Sequence, residues 1–195
     1  MKTLILNLKT MRKIRLFMIP VLFVALFTAC SDNDDPAPVN PEELITNVNV
    51  IFTNAADATD IVTLSAVSAD GIVAPTLVVS GPFTSGAVYN ATVTITDNIN
   101  NENILEEIVE EKDEHFFVYD QSGVAFTMMR AATDEVRTDG ESLGLNTTWT
   151  AGPAASGTIT VLLIHEPTTV SDDGGFGSAS GGEFDINNSW SVTIQ

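Results

Sequence analysis

The chain has 195 residues, 44% hydrophobic and 17% charged: enough apolar side chain for one globular domain with a core, and too little length for two comfortable ones. Acidic side chains number 26 against 8 basic, a formal net charge of -18. That balance excludes nucleic acid as a partner, because phosphate neutralisation needs clusters of Lys and Arg. The single cysteine excludes an internal disulfide and a cysteine-based zinc cluster, and the Val, Ile, Thr and Phe content excludes global disorder.

In chain order, Lys2, Lys9, Arg12, Lys13 and Arg15 precede an apolar stretch from Leu16 to Phe27, which ends in small residues before Cys30. This is the layout of a secretory signal peptide over residues 1–29, with Met11 as an alternative initiator. The apolar run carries Pro20 and is too short to read as a permanent transmembrane helix. Leu26-Phe27-Thr28-Ala29-Cys30 resembles the lipobox of bacterial lipoproteins. The resemblance implies a diacylglycerol group on the Cys30 sulfur and acylation of its amino group after cleavage. Several acyl chains anchor stably, at about 0.8 kcal/mol per buried methylene, so the mature chain is expected to be held to a membrane by lipid without crossing it.

Residues 30–43 then read as the acylated cysteine and an extended tether, since Ser31 to Pro41 is acidic, Pro-rich and without apolar periodicity. Ser31-Asp32-Asn33-Asp34-Asp35 is similar to the acidic export signal that sends lipoproteins of the Bacteroidota to the outer face of the outer membrane; a solvated charge run without a routing role is the competing reading. Removing residues 1–29 leaves Lys112, Arg130 and Arg137 as the basic residues against all 26 acidic ones. Such a field repels anionic lipid and attracts cations at close range.

From residue 44 to 195 the pattern has mostly period two. Leu44–Thr53, Ile61–Val67, Thr76–Val79, Val88–Thr96, Phe116–Tyr119, Val124–Met129, Leu145–Thr150, Gly157–His165 and Ser189–Ile194 alternate apolar with polar side chains or form short apolar runs, and each predicts a strand. Turn chemistry at Ala69-Asp70-Gly71, Ser80-Gly81-Pro82, Gln121-Ser122-Gly123, Thr138-Asp139-Gly140 and Gly152-Pro153 separates them. About nine short strands joined by such turns predict an all-β fold, an antiparallel immunoglobulin-like β-sandwich, rather than a parallel sheet with crossover helices.

One segment departs from period two. Across Asn101–Lys112 the apolar residues fall at 104, 105, 108 and 109, one stripe of a helix with acids between, so one short helix is expected to cross an end of the sandwich. Ser171–Glu183 is so glycine-rich that it reads as a flexible loop between the last two strands. Its spacing fits neither a phosphate-binding loop nor an EF-hand.

The mature chain has two histidines, each beside carboxylates: Asp113-Glu114-His115 at the junction from helix to strand, and His165-Glu166-Pro167 at a strand end. If their strands are neighbours, His115, His165, Glu114 and Glu166 converge into a site for a divalent metal, with imidazole and carboxylate suiting zinc or a similar ion. The plainer alternative is that either histidine caps a strand end. Catalysis is not expected: there is no Gly-x-Ser-x-Gly elbow, Cys30 is consumed by lipid, and three basic residues leave little for an oxyanion or phosphoryl site. A carboxylate pair for glycoside hydrolysis stays open on composition. Tyr89, Trp149 and Trp190 in strands, with Phe83 and Phe176 in loops, fit core packing better than ligand stacking. Of Met128 and Met129 at most one belongs to the core.

At Glu42–Thr46, Asp113–Phe117, Leu143-Gly144-Leu145, Ser156–Val161, His165-Glu166-Pro167 and Val192–Gln195 the chain resembles a group of small lipoproteins of the Bacteroidota. The resemblance runs over essentially the whole chain, signal included. Such lipoproteins are often found beside TonB-dependent outer-membrane transporters, which implies a location at the outer membrane or cell surface and an accessory role in nutrient or metal capture. The leading expectation is therefore a non-catalytic ligand- or partner-binding lipoprotein with a transporter as partner and an unidentified ligand. A structural or adhesive envelope component is the alternative, and a carboxylate-based hydrolase the third.

Overall fold

The computed structural model describes residues 44–195; the expected signal peptide (1–29) and the Cys30 anchor with its tether (30–43) lie outside the described residues. Eleven strands and one helix make up the described part: β1 (Asn47–Asn54), β2 (Ile61–Val67), β3 (Thr76–Val79), β4 (Val88–Thr96), α1 (Ile104–Glu110), β5 (His115–Ser122), β6 (Phe126–Arg130), β7 (Asn146–Ala151), β8 (Ala155–His165), β9 (Thr169–Ser171), β10 (Ser178–Ser180) and β11 (Glu183–Ile194). Six strands form one sheet in the order β3-β2-β1-β4-β7-β6, three form a second in the order β11-β8-β5, and β9 pairs with β10. Every strand pair is antiparallel.

The all-β antiparallel sandwich with one short helix is thus the fold. The sheets divide six and three, whereas a constant-type immunoglobulin domain divides four and three. The expected strands are all present. The extra pair, β9 and β10, is three residues long on each side.

Alternation of burial shows why these segments are strands. In β1 as far as Phe52, in β2 and β4, and in β11 from Ile186 onward, every second residue is buried, so each strand lays one face on a core and the other toward solvent. Side chains from both sheets fill the same core, among them Val50, Phe52, Leu64 and Ile95 from the larger and Tyr119, Val161, Leu163 and Val192 from the smaller. Trp149 sits at its centre, edge-on to Phe52, Tyr119, Phe126 and Phe176 at 5.4–5.6 Å between ring centroids. Tyr89, Trp149, Trp190 and Phe83 are fully or almost fully buried, as core packing requires. Trp190 donates its indole N–H to the Ser65 carbonyl at 2.8 Å and so ties the two sheets together. Met128 is buried and its neighbour Met129 exposed.

Helix α1 is shorter than the 101–112 stripe suggested. Residues 97–102 are closed into a turn by Asp97 and Glu102, which exchange backbone hydrogen bonds at 3.0 and 2.9 Å. Asn101 there has φ of 60°, which a right-handed helix does not permit. The stripe does its expected work: Ile104 and Ile108 are buried, and Leu105 and Val109 pack against the core. A helix of two turns is stable only because that face is docked.

The glycine-rich segment is the clearest correction. Ser178–Ser180 within it is strand, registered with Thr169–Ser171, and the turn before it is held in place from several sides. Arg130 donates to the carbonyls of Gly175, Ser142 and Phe117 at 3.1, 2.6 and 2.6 Å while its guanidinium lies 4.5 Å over the Phe116 ring. Tyr119 donates its backbone N–H to Phe176 at 2.9 Å, and the Phe176 ring reaches Trp149. Two glycines are needed for this approach. Gly144 (φ 102°) and Gly177 (φ 77°) both lie against the Arg130 guanidinium, where a Cβ would collide with it.

Candidate metal centre

His115 opens β5 and His165 closes β8, and the ladder places them directly opposite one another. Period two gives both the inward parity of their strands, shared with Phe117 and Tyr119 on one side and Leu163 and Val161 on the other. They therefore lie at one end of the three-stranded sheet, below the end of α1. The His115 side chain is fully buried, and that of His165 keeps 23% of its surface.

His115 is fixed by its surroundings. Its Nδ1 lies 3.2 Å from the carbonyl oxygen of Glu111, just past α1. A carbonyl only accepts, so Nδ1 is the donor in this contact, and Nε2 lies on the other side of the ring. The backbone is clamped as well. Arg137 donates through Nη1 to the carbonyls of His115 (2.6 Å) and Lys112 (2.8 Å), and is itself paired with Asp139 at 3.0 Å. Asp113 accepts from the backbone N–H and hydroxyl of Thr138 at 2.7 and 2.9 Å. Those bonds, the backbone one foremost, hold the Asp113 carboxyl below its ordinary range.

The Nε2 of His115 faces Asp185, 3.7 Å from Oδ2, and the other oxygen of that carboxylate is 4.0 Å from Nδ1 of His165. Asp185 reaches this place through a β-bulge. Phe184 pairs with Ile164 and Ile186 with the adjacent Leu163, so Asp185 is the extra residue of β11. The slip reverses the parity of the strand: Phe184, which plain alternation would put beside Ile186, is 60% exposed, and the Asp185 side chain keeps only 14% of its surface.

Two carboxylates stand on the outer side of His165. Glu114 lies 3.9 Å from Nε2, with 56% of its side-chain surface exposed. Glu166 follows His165 with φ of 49°, a left-handed conformation uncommon for a residue with a Cβ, and its N–H donates to the Glu114 carbonyl at 2.6 Å. The four expected residues do not converge into one set but divide between two triads that share His165: His115 and His165 with Asp185 inside, and Glu114, His165 and Glu166 outside. Within each triad the candidate donor atoms lie no more than 4.8 Å apart. Bonds of about 2.0–2.2 Å to one tetrahedral zinc put donors roughly 3.5 Å from one another, so modest closure assembles either set.

The two rings are parallel, 4.7 Å between centroids and 7° between planes. Imidazole lone pairs lie in the ring plane, so in this arrangement they run side by side, and an ion shared by both histidines needs one ring to turn. His165, partly exposed and at the last residue of its strand, is free to do so; His115 is not. Asp185 was missed by sequence reasoning because Phe184-Asp185-Ile186 shows nothing that distinguishes a bulge from regular alternation. Comparison of the chain with family models, with curated proteins and with solved structures gave no match in any of the three.

Proposed function

We propose that this chain is a lipid-anchored envelope protein whose sandwich is a non-catalytic module binding a divalent cation at the His115–His165–Asp185 cluster. The observation that carries the reading is convergence: one ring nitrogen from each histidine and a carboxylate oxygen of Asp185 lie within 4.8 Å of one another, with Nε2 of His115 3.7 Å from that carboxylate. Two imidazole nitrogens and a carboxylate oxygen so close together are the donor types that a divalent cation draws into one shell. Imidazole with carboxylate selects zinc and its neighbours over calcium or magnesium. The carbonyl that holds the second nitrogen is the support which ligating histidines ordinarily have.

The lipid anchor and outer-membrane location rest on the lipobox-like sequence at Cys30, and a TonB-dependent transporter as partner rests on the resemblance to Bacteroidota lipoproteins. A capture module beside a transporter has use for an ion site that is bound reversibly. Calorimetric titration of the purified chain with zinc, and in parallel with calcium, tests the proposal. Saturable zinc binding that is lost in His115→Ala supports it. Absence of zinc binding, or undiminished binding by that variant, refutes it.

A further inference from the structure

We infer that His165 serves two cation positions in turn, and that an ion reaches the inner position, with His115 and Asp185, by way of the outer one, with Glu114 and Glu166. This rests on the cluster being a cation site. The two ring nitrogens of His165 point to different carboxylates: Nε2 is 3.9 Å from Glu114 and Nδ1 is 4.0 Å from Asp185. A neutral imidazole has one lone pair, so it ligates one ion at a time, and the choice of nitrogen is the choice of position.

Burial orders the two events. His115 is sealed from solvent and Asp185 nearly so, whereas Glu114 is more than half exposed. A hydrated ion therefore meets Glu114, Glu166 and Nε2 of His165 first. With Nε2 on the ion, the proton is on Nδ1 and faces Asp185. Transfer inward exchanges these roles: the ion leaves Nε2 for the Nδ1 side, Nδ1 loses its proton, and Nε2, now facing Glu114, takes one up. One proton is lost and one gained, so the transfer is neutral overall, and the stacked ring turns out of its parallel arrangement to deliver the Nδ1 lone pair.

The same geometry fixes the stoichiometry at one ion per chain. It also fixes which groups govern rate and which govern affinity. Glu114 and Glu166 set how fast the ion enters and leaves; His115 and Asp185 set how tightly it is held.

Stopped-flow zinc uptake by the full chain, read by competition with a chromogenic chelator, tests this alongside calorimetry. The double variant Glu114→Gln with Glu166→Gln is expected to take up zinc at least tenfold more slowly, with one site per chain and an affinity within about threefold of wild type. A control with two exposed acids neutralised elsewhere, Glu102→Gln with Asp120→Asn, separates this from the general loss of negative charge and is expected to keep the wild-type rate. Asp185→Asn is expected to keep fast uptake and lose at least tenfold in affinity. Two zinc ions per wild-type chain, or unchanged uptake by the Glu114/Glu166 variant, overturns the two-position route while leaving the cation site standing. A wild-type chain that binds no zinc removes both.

Discussion

His115 and His165 are a registered cross-strand pair, the first residue of β5 against the last of β8, with parallel rings and the Asp185 carboxylate within 4.0 Å of both. The pair is asymmetric. One ring is buried and held at Nδ1 and at its backbone carbonyl, while the other is partly exposed to solvent, and the two should respond differently to removal. His115→Ala empties a buried, well-packed position and is expected to destabilise the domain by about 2–4 kcal/mol, whereas His165→Ala should cost about 1 kcal/mol or less. Urea unfolding of the two variants without metal measures the difference, and equal costs would contradict the asymmetry.

Arg130 is expected to matter more to stability than any other basic residue. Its guanidinium satisfies three carbonyls and covers Phe116, and burial pushes its pKa below the usual arginine range. Arg130→Ala leaves those carbonyls without their donors and should cost about 3–5 kcal/mol. Arg130→Lys should recover less than half of that, because an ammonium lacks the planar fork. Denaturant midpoints, with near-ultraviolet circular dichroism of Trp149 and Phe176, provide the check.

The boundaries of α1 decide where proline is harmful. Leu105 lies in the first turn, where backbone N–H groups have no intrahelical partner, so Leu105→Pro should cost only about 1–2 kcal/mol, from lost side-chain packing and not from the ladder. Ile108 is one turn further on and fully buried, and Ile108→Pro should cost roughly 3 kcal/mol or more through the broken ladder, with lost packing in addition. Thermal unfolding of the two variants distinguishes this placement from a helix beginning at residue 101.

Acid should destabilise the fold through turn carboxylates. Asp57 is held low by the Thr59 hydroxyl and N–H, Asp70 by the N–H groups of Val73 and Ile72, Asp113 by the N–H and hydroxyl of Thr138, and Asp173 by the hydroxyls of Ser178 and Ser171. A carboxyl whose folded pKa lies below its unfolded value of 3.8 adds stability above that value, and this is lost as pH falls through the folded pKa. Asp134 runs the other way: burial raises its pKa, so its contribution weakens as pH rises through the folded value. With five lowered carboxyls, Asp139 among them, against one raised, stability should fall below about pH 4. The slope should be shallower in Asp113→Asn, as urea titrations from pH 2 to 7 would show.

Cys30→Ala should release the protein into the soluble fraction, because the acyl chains are its expected strong membrane contact. Fractionation of cells carrying the variant checks this, and undiminished membrane association would count against the lipid anchor.

Much of the fold could be read along the chain because strand and helix are local periods. Alternation in Val88–Thr96 or the paired apolar residues of α1 need no knowledge of distant residues, and the turns between strands carry their own Gly, Asp and Pro chemistry. The carboxylates next to His115 and His165 were visible in the same way. What the tertiary structure alone decided is register. That His115 meets His165, and not a residue two places along, follows from ladder pairing between segments fifty residues apart. That Asp185 turns inward follows from one extra residue in β11, which shifts parity without leaving a mark in the composition. The glycine-rich segment offered no pattern of its own, and its course is set by Arg130 and Trp149, whose side chains arrive from other strands. Local propensity thus determined which segments are strands, and long-range packing determined which side chains they bring together.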